Sequence, residues 1–307
     1  MPFRAFPFLV LGAGVSVVSF AAILIRFAQA EGAPSLAIAA VRLVVAAAVL
    51  TPFALFRSGP EIYRLPRREL GLCMLSGAFL AAHFWAWITS LEHTSVASST
   101  ALVTTNPLWV ALISAIALRE RPGGKALTGV VLTLAGSMLV FAADSGRISD
   151  GMSPLFGNAL ALVGALAASG YLLVGRALRA RVSLTAYIWL AYSAAAVLLV
   201  SAATFSGISV GALPGAAWIF MLALALGPQL IGHTTFNWAL RRLTATFVAI
   251  AILGEPVGSA VLAYFFFGEQ FGTLQFVGFV LLLLGIFVAA REESRRLEER
   301  LQPHHAS

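Results

Sequence analysis

Long apolar runs dominate this sequence, and they constrain the fold more than any other feature. Ten of them, bounded by charged residues or by proline and glycine, can form a helix that crosses a bilayer, which takes about 20 apolar residues. The runs cover approximately residues 8–27, 35–57, 69–91, 94–118, 124–143, 154–176, 183–204, 215–240, 243–267 and 272–290. They are continuously apolar, whereas the strands of a membrane β-barrel alternate apolar and polar residues. The sequence therefore predicts an all-α membrane protein with ten transmembrane helices.

The overall composition agrees with this prediction. The chain is 60% hydrophobic and 11% charged, whereas a soluble domain is typically about 25% charged. The connections between the runs are short and leave no room for a soluble domain. The single cysteine, Cys73, excludes an intrachain disulfide and is expected to be a small buried residue.

The basic residues are distributed unevenly between the two ends of the predicted helices. Of the 20 Lys and Arg residues, 17 fall on one side of the membrane, Arg147 falls on the other, and Arg26 and Arg42 lie within helices. Cytoplasmic segments carry the excess of basic residues in membrane proteins. Both termini are therefore expected in the cytoplasm, with the chain in a bacterial inner membrane. The net charge of +7 reflects this topology, so nucleic acid is not an expected partner.

The sequence also matches itself at a shift of about 150 residues. At a shift of 150 the matches are Ser19 with Ser169, Arg26 with Arg176 and His83 with His233, and at 149 they are Pro107 with Pro256, Glu120 with Glu269, Gly129 with Gly278 and Gly136 with Gly285. Each half holds five helices, an odd number, so the second half must enter the membrane from the opposite side. The sequence thus predicts two inverted repeats, residues 1–143 and 153–290, followed by a cytoplasmic tail over 291–307. This architecture is typical of secondary transporters, although some channels share it.

Motifs repeated in both halves resemble those of the drug/metabolite transporter superfamily, specifically the EamA family. In the first half Asn106-Pro107 leads to Arg119-Glu120-Arg121, and in the second half Glu255-Pro256 leads to Gly268-Glu269-Gln270. A basic–proline–arginine pattern also matches the family at Arg26, Pro34 and Arg42. The chain is similar to bacterial exporters of aromatic and other amino acids. The resemblance implies export of amino acids and a cavity between the first, third, fourth, sixth, eighth and ninth helices.

Two charged residues within the predicted helices are candidate substrate-binding residues. Glu255 lies near the middle of the ninth helix, where a carboxylate must be paired or face water. The alternative is that it satisfies backbone groups freed by Pro256. Arg42 offers a fixed fork of donors for a substrate carboxylate, but it can equally pair with an acid or with carbonyls. The first half has Asn106 where the second has Glu255, so any role of a carboxylate at this position belongs to one half only and is not repeated in the other.

Polar residues at helical spacing form a second group of candidates. Gln229, His233 and Asn237 follow one another at intervals of four, which predicts one polar stripe on the eighth helix. Lipid does not accept such a stripe, so it faces a water-filled cavity or other helices. Pro228 precedes the stripe and is expected to break or kink the helix. The third helix places His83 and Trp87 on the matching face.

Aromatic and polar side chains complete the predicted substrate-binding set. Trp87, Trp109 and Tyr171 are candidates for an apolar wall, although most aromatic residues of membrane helices serve packing or the interface. Asn106 belongs to an unusually polar fourth helix. The substrate-binding prediction thus comprises His83, Trp87, Asn106, Trp109, Tyr171, Gln229, His233, Asn237, Arg42 and Glu255.

The function expected from these features is export of amino acids by alternating access. The alternatives are export of a drug or another small metabolite, and passage through a channel. The sequence contains no HExxH, no GxSG-like nucleophile turn and no paired aspartates within the runs, so no enzymatic activity is expected. No cofactor and no metal are expected either. Glu255 and His233 are candidate proton carriers. The expected partners are the small-molecule substrate and the bilayer, and the chain is expected to be a monomer.

Overall fold

Ten helical spans make up the fold. The structure is a computed structural model that describes residues 2–94, 96–117, 123–144, 153–268 and 272–301. Within them, ten helices are long and apolar enough to cross a membrane, which confirms the predicted number. In chain order, spans 1 to 10 are Phe6–Ala30, Ser35–Tyr63, Arg67–His93, Ser98–Ile116, Gly124–Ala143, Pro154–Arg179, Leu184–Phe205, Gly215–Ala239, Ala245–Phe266 and Thr273–Glu299.

Four of these spans are interrupted near their middle. Span 1 consists of Pro2–Val18 and Ala21–Ala30, span 4 of Val96–Val103 and Asn106–Ala117, and span 9 of Ala245–Ile252 and Gly254–Phe267. Span 8 consists of Gly215–Leu224, a π-helix over Ala225–His233, and Thr234–Ala239.

Proline explains three of the four interruptions. Proline lacks the N–H that would bond the carbonyl four residues earlier, and its ring clashes with that carbonyl. Span 4 is interrupted at Thr104 and Thr105, just before Pro107, and span 9 at Leu253, just before Pro256. In span 8, Pro228 lies within the π-helix, as the predicted break or kink requires.

The spans pack in pairs that join the two halves of the chain. Span 5 packs along span 10, span 3 along span 6, span 2 along span 7 and span 1 along span 8, while spans 4 and 9 meet near their breaks. A Cβ atom on Gly136 would lie 2.6 Å from the carbonyl oxygen of Gly278, and one on Gly285 would lie 2.8 Å from that of Gly129. Small residues at these positions let the backbones of spans 5 and 10 touch.

The last span continues well beyond the predicted end of its apolar run. The helix extends over Thr273–Leu301, so the segment predicted as a tail from residue 291 begins as a helix. Glu292 accepts bonds from Arg295 and Arg296 one turn later, which supports the last turns of the helix. Glu293 accepts bonds from the backbone N–H and the hydroxyl of Thr244, at 2.6 and 2.8 Å, and so fixes the beginning of span 9. Residues 302–307 of the predicted tail lie outside the described residues.

Candidate functional site

A cavity of about 500 Å³ lies in the middle of the bundle. Its lining comes from spans 1, 3, 4, 6, 8 and 9, the six that the family resemblance led us to expect. The lining residues are Val18, His83, Trp87, Val103, Thr104, Asn106, Ala168, Tyr171, Leu172, His233, Phe236, Ile252 and Glu255.

The helix interruptions border this cavity. Val18 ends the first half of span 1, Thr104 lies in the break of span 4 and Asn106 follows it, and Ile252 precedes the break in span 9. His233 is the last residue of the π-helix. Irregular backbone at membrane depth is tolerated where it is buried in protein or lines a cavity, because its polar groups then find partners. The proline positions therefore help to place the cavity.

The structure brings six of the ten predicted site residues to the cavity wall. These are His83, Trp87, Asn106, Tyr171, His233 and Glu255. The other four, Arg42, Trp109, Gln229 and Asn237, lie outside the lining. Arg42, Gln229 and Asn237 are fully buried, and Asn237 contacts the lining residue Tyr171.

Arg42 is held in a defined orientation although it is completely buried. Its Nε donates to Oε1 of Gln229 at 2.7 Å, and its guanidinium carbon lies 3.9 Å from the ring centroid of Phe84. Within the described part of the chain, neither Nη1 nor Nη2 has a hydrogen-bond partner. These two atoms form the edge of the guanidinium that binds a carboxylate with two parallel bonds. Arg42 thus presents a rigid and unused anion-binding edge.

Glu255 is the negative charge nearest to this edge. It is 5% exposed, lines the cavity, and its Oε1 finds no hydrogen-bond partner among the described residues. Glu255 and Arg42 interact electrostatically, but they form no direct ion pair. These two opposite buried charges therefore both keep unused hydrogen-bonding capacity.

Two histidines line the cavity close to each other. The Nδ1 of His83 lies 3.0 Å from the carbonyl oxygen of Gly164, and because a carbonyl only accepts, this nitrogen carries the hydrogen. The ring of His83 stacks on Trp87 with centroids 5.9 Å apart, and it lies 6.4 Å from the ring of His233. The two positions matched by the internal repeat thus meet at the cavity.

The three residues of the predicted polar stripe on span 8 do not all face the cavity. Only His233 lines the cavity, while Gln229 holds Arg42 and the Nδ2 of Asn237 donates to the hydroxyl of Tyr171 at 2.5 Å. The prediction assumed 3.6 residues per turn, but the π-helix is wider and rotates successive residues away from a single face. Trp109 is half-buried, and its buried Nε1 has no hydrogen bond to the described residues.

Most of the lining that sequence analysis did not identify is apolar. Val18, Val103, Leu172 and Ile252 carry no chemical signal that separates them from the other apolar residues of their spans. Phe236 is an exception, because it lies 149 residues after Trp87 and so occupies the matching position in the second half. The internal repeat could have identified it.

The chain was compared with families and proteins of known sequence. The model of the EamA-like transporter family matches residues 7–142 and, a second time, residues 155–291. The uncharacterized transporter YyaM of Bacillus subtilis is 22% identical over 82% of this chain and 83% of its own length. An uncharacterized transporter of Archaeoglobus fulgidus is 24% identical over 87% of this chain and 90% of its own length.

A solved structure shares the fold. A protein of known crystal structure superposes with a TM-score of 0.76 at 21% sequence identity, which covers 96% of this chain and 99% of the other. At this identity the likeness concerns the fold alone.

Proposed function

Because the chain belongs to the EamA-like transporter family and is a multi-pass membrane transporter of small molecules, we propose that it exports amino acids from the cytoplasm across a bacterial inner membrane. The cavity binds the solute, and the protein is a secondary transporter that works by alternating access. Its substrates include aromatic amino acids, and it acts as a monomer.

One observation carries the amino-acid assignment: the opposed, unsaturated charges of Arg42 and Glu255. A zwitterionic solute needs a cation for its carboxylate and an anion for its ammonium group. The Nη1–Nη2 edge of Arg42, which lies outside the cavity lining, and the Oε1 of Glu255, which lies in it, are both buried and without hydrogen-bond partners among the described residues, so a solute that reached both would satisfy them. Buried charges left unsatisfied are costly, which favours a ligand that bridges them.

The remaining wall of the cavity suits an apolar side chain. Trp87, Tyr171 and Phe236 supply aromatic surface, and Val103, Leu172 and Ile252 supply aliphatic surface. A drug or metabolite that lacks either the carboxylate or the ammonium group would leave Arg42 or Glu255 unsatisfied.

The proposed mechanism requires two inverted repeats, over residues 1–143 and 153–290, and several contacts support them. The counterpart of span 3 is span 8, and that of span 6 is span 1. If each span is replaced by its counterpart, the pair of spans 3 and 6 becomes the pair of spans 8 and 1, and both pairs are packed. This replacement leaves the pairs 5–10, 2–7 and 4–9 unchanged. The distribution of Lys and Arg supports a cytoplasmic position for both termini.

Flux measurements in proteoliposomes test the proposal. Labelled L-phenylalanine is expected to enter with saturable kinetics, and unlabelled L-phenylalanine inside the vesicles is expected to accelerate its entry. Such exchange identifies a carrier, whereas a channel gives flux that neither saturates nor responds to solute on the far side. Repeating the assay with an imposed pH gradient, for the intact protein and for Glu255→Gln, determines whether Glu255 couples transport to protons.

The choice of solute makes the test specific. Phenylalanine amide, which lacks the carboxylate, and N-acetylphenylalanine, which lacks the ammonium group, are expected to compete weakly. If no common amino acid shows saturable flux, the amino-acid assignment is wrong while the transporter family stands.

A further inference from the structure

A hydrogen-bonded cluster closes the bundle beyond one end of the cavity. Gln29, at the end of span 1, donates from Nε2 to the carbonyl oxygen of Ile88 in span 3 at 3.1 Å and to the hydroxyl of Ser35 in span 2 at 2.9 Å. Ile88 directly follows Trp87, which lines the cavity. We call Gln29, Ser35 and Ile88 the outer clamp, because the predicted topology places them near the outer face.

A second cluster lies beyond the other end of the cavity. Arg179, at the end of span 6, donates from Nε to the carbonyl oxygen of Asn237 in span 8 at 3.2 Å and from Nη1 to that of Val182, just before span 7. Asn237 directly follows Phe236, which lines the cavity. We call Arg179, Val182 and Asn237 the inner clamp, because they lie near the predicted cytoplasmic face.

The two clamps occupy matching positions in the two halves of the chain. Gln29 and Arg179 are 150 residues apart, and Ile88 and Asn237 are 149 apart, which are the two shifts at which the sequence matches itself. In each half the clamp joins the end of the first span to the third span and reaches the beginning of the second. Neither contact is visible in the sequence, because glutamine and arginine do not align as similar residues.

The packing of the spans shows what the clamps close. Span 1 packs on span 3 through Ala21–Ala30, its outer half, and span 6 packs on span 8 through Thr234–Ala239, the inner part of span 8. The cavity lies between these two regions of contact. Separating spans 1 and 3 would open it outward, and separating spans 6 and 8 would open it to the cytoplasm.

We propose that Gln29 and Arg179 are the latches of the outer and inner gates. Each must release before the cavity opens to its own face, and the hydrogen bonds of both are formed in this structure. The inference rests on the proposed alternating access, in which the two gates open in turn. Neither residue contacts the solute; each acts by holding two spans together.

The inner latch is the stronger of the two. Arg179 is 2% exposed and is a charged donor, whereas Gln29 is a neutral one. Arg176 adds a further bond from Nη1 to the carbonyl oxygen of Leu240 in span 8. Its counterpart Arg26 forms no hydrogen bond or ion pair with any residue that the structure describes. Hydrogen bonds to charged groups contribute more than neutral ones, so loss of the Arg179 side chain is expected to have a larger effect than loss of the Gln29 side chain.

Thiol accessibility tests the two latches separately. In a Cys73→Ala background, Ala168→Cys places the only thiol in the cavity wall. A membrane-impermeant thiol reagent is applied to right-side-out and to inside-out vesicles. Gln29→Ala is expected to raise the labelling rate from the outer face about threefold, and Arg179→Ala to raise the rate from the cytoplasmic face about tenfold. Each substitution lowers the rate from the opposite face.

Matched variants separate a latch from a general loosening of the bundle. Arg26→Gln removes an arginine that has no hydrogen-bonded partner among the described residues, and it is expected to leave both rates unchanged. Arg179→Gln gives the inner clamp the same donor group as the outer clamp. Its labelling rate from the cytoplasmic face is expected to lie between the rates of the intact protein and Arg179→Ala. This variant can still be measured if Arg179→Ala does not fold. Equal increases from both faces, or no change in either variant, would overturn the latch assignment.

The same vesicles distinguish failure of the latches from failure of the proposed function. Protection of the thiol by L-phenylalanine reports binding of the amino acid. Opposite responses of the two latch variants without such protection would refute the substrate and keep the latches. Fast labelling from both faces, in the intact protein as well as in the two alanine variants, would show a permanently open pore. Both the latch assignment and alternating access would then be wrong.

Discussion

Replacing Arg42 by glutamine tests the binding site most directly. The guanidinium is already desolvated and held by Gln229 and Phe84, so it can bind a carboxylate with little further loss of conformational freedom. Glutamine keeps a hydrogen-bond donor near this place but removes the charge and the two-pronged edge. The substitution should therefore weaken amino-acid binding without emptying the space that Arg42 fills.

The expected magnitude follows from the bonds that would be lost. A hydrogen bond to a charged group contributes about 1.5–3 kcal/mol, and the edge of Arg42 offers two. Part of this contribution is regained through the amide of the new glutamine, which leaves a net loss of about 2.8 kcal/mol. That loss corresponds to a roughly 100-fold increase in the Kd of L-phenylalanine.

Calorimetric titration of the full chain in lipid nanodiscs measures this increase. The same titration with phenylalanine amide, which has no carboxylate, should show a change of less than about threefold between the two proteins, because the lost partner no longer matters. Arg26→Gln is the matched control, since Arg26 also lies within a span but has no hydrogen-bonded partner among the described residues. If Arg42→Gln leaves the Kd of phenylalanine within threefold, or changes the Kd of the amide equally, Arg42 does not bind the carboxylate.

Two further predictions concern the opposite charge and the packing of the spans. Glu255→Gln should raise the Kd of L-phenylalanine about tenfold, because the ammonium group loses a charged partner. The Kd of N-acetylphenylalanine, which has no ammonium group, should stay unchanged. Equal effects on both ligands in the same titration would contradict the assignment of Glu255. Gly136→Ala should lower the free energy of unfolding by about 1–3 kcal/mol, because the new Cβ would lie 2.6 Å from the carbonyl oxygen of Gly278. Thermal denaturation in detergent measures this loss against Gly71→Ala, whose Cβ would meet no atom within 4 Å, and equal melting temperatures would refute the close contact of spans 5 and 10.

The spans themselves were predictable because their signal is local. A continuous apolar run and the charges at its ends determine where a helix crosses, and no distant residue is needed to read them. The interruptions of spans 4 and 9 follow in the same way from Pro107 and Pro256, which remove particular backbone bonds. For the same reason, polar residues in the middle of spans, such as His83 and Glu255, indicated much of the cavity wall.

The contacts that organise the site were not predictable because they join distant segments. Arg42 and Gln229 are 187 residues apart in sequence, and nothing in either span indicates the other. Phe84, whose ring lies beneath Arg42, looks like any apolar residue of span 3. The π-helix of span 8 also changed the direction of Gln229 and Asn237, and a helical repeat of 3.6 residues cannot anticipate this rotation.

The glycine contacts between spans 5 and 10 bear on how such a chain can arise. Gly129 and Gly278 are matching positions, as are Gly136 and Gly285, and the contacts pair Gly129 with Gly285 and Gly136 with Gly278. Gly129 thus contacts the counterpart of Gly136, and Gly136 contacts the counterpart of Gly129. This is the reciprocal pattern of an interface between two identical subunits. A surface of this kind is complementary to itself, so a polypeptide of half the length could dimerise along it in antiparallel fashion before gene duplication and fusion joined the two copies. In such a history the fused chain would retain the ancestral subunit interface between spans 5 and 10, while the residues around the cavity, such as Asn106 and Glu255, would have been free to diverge.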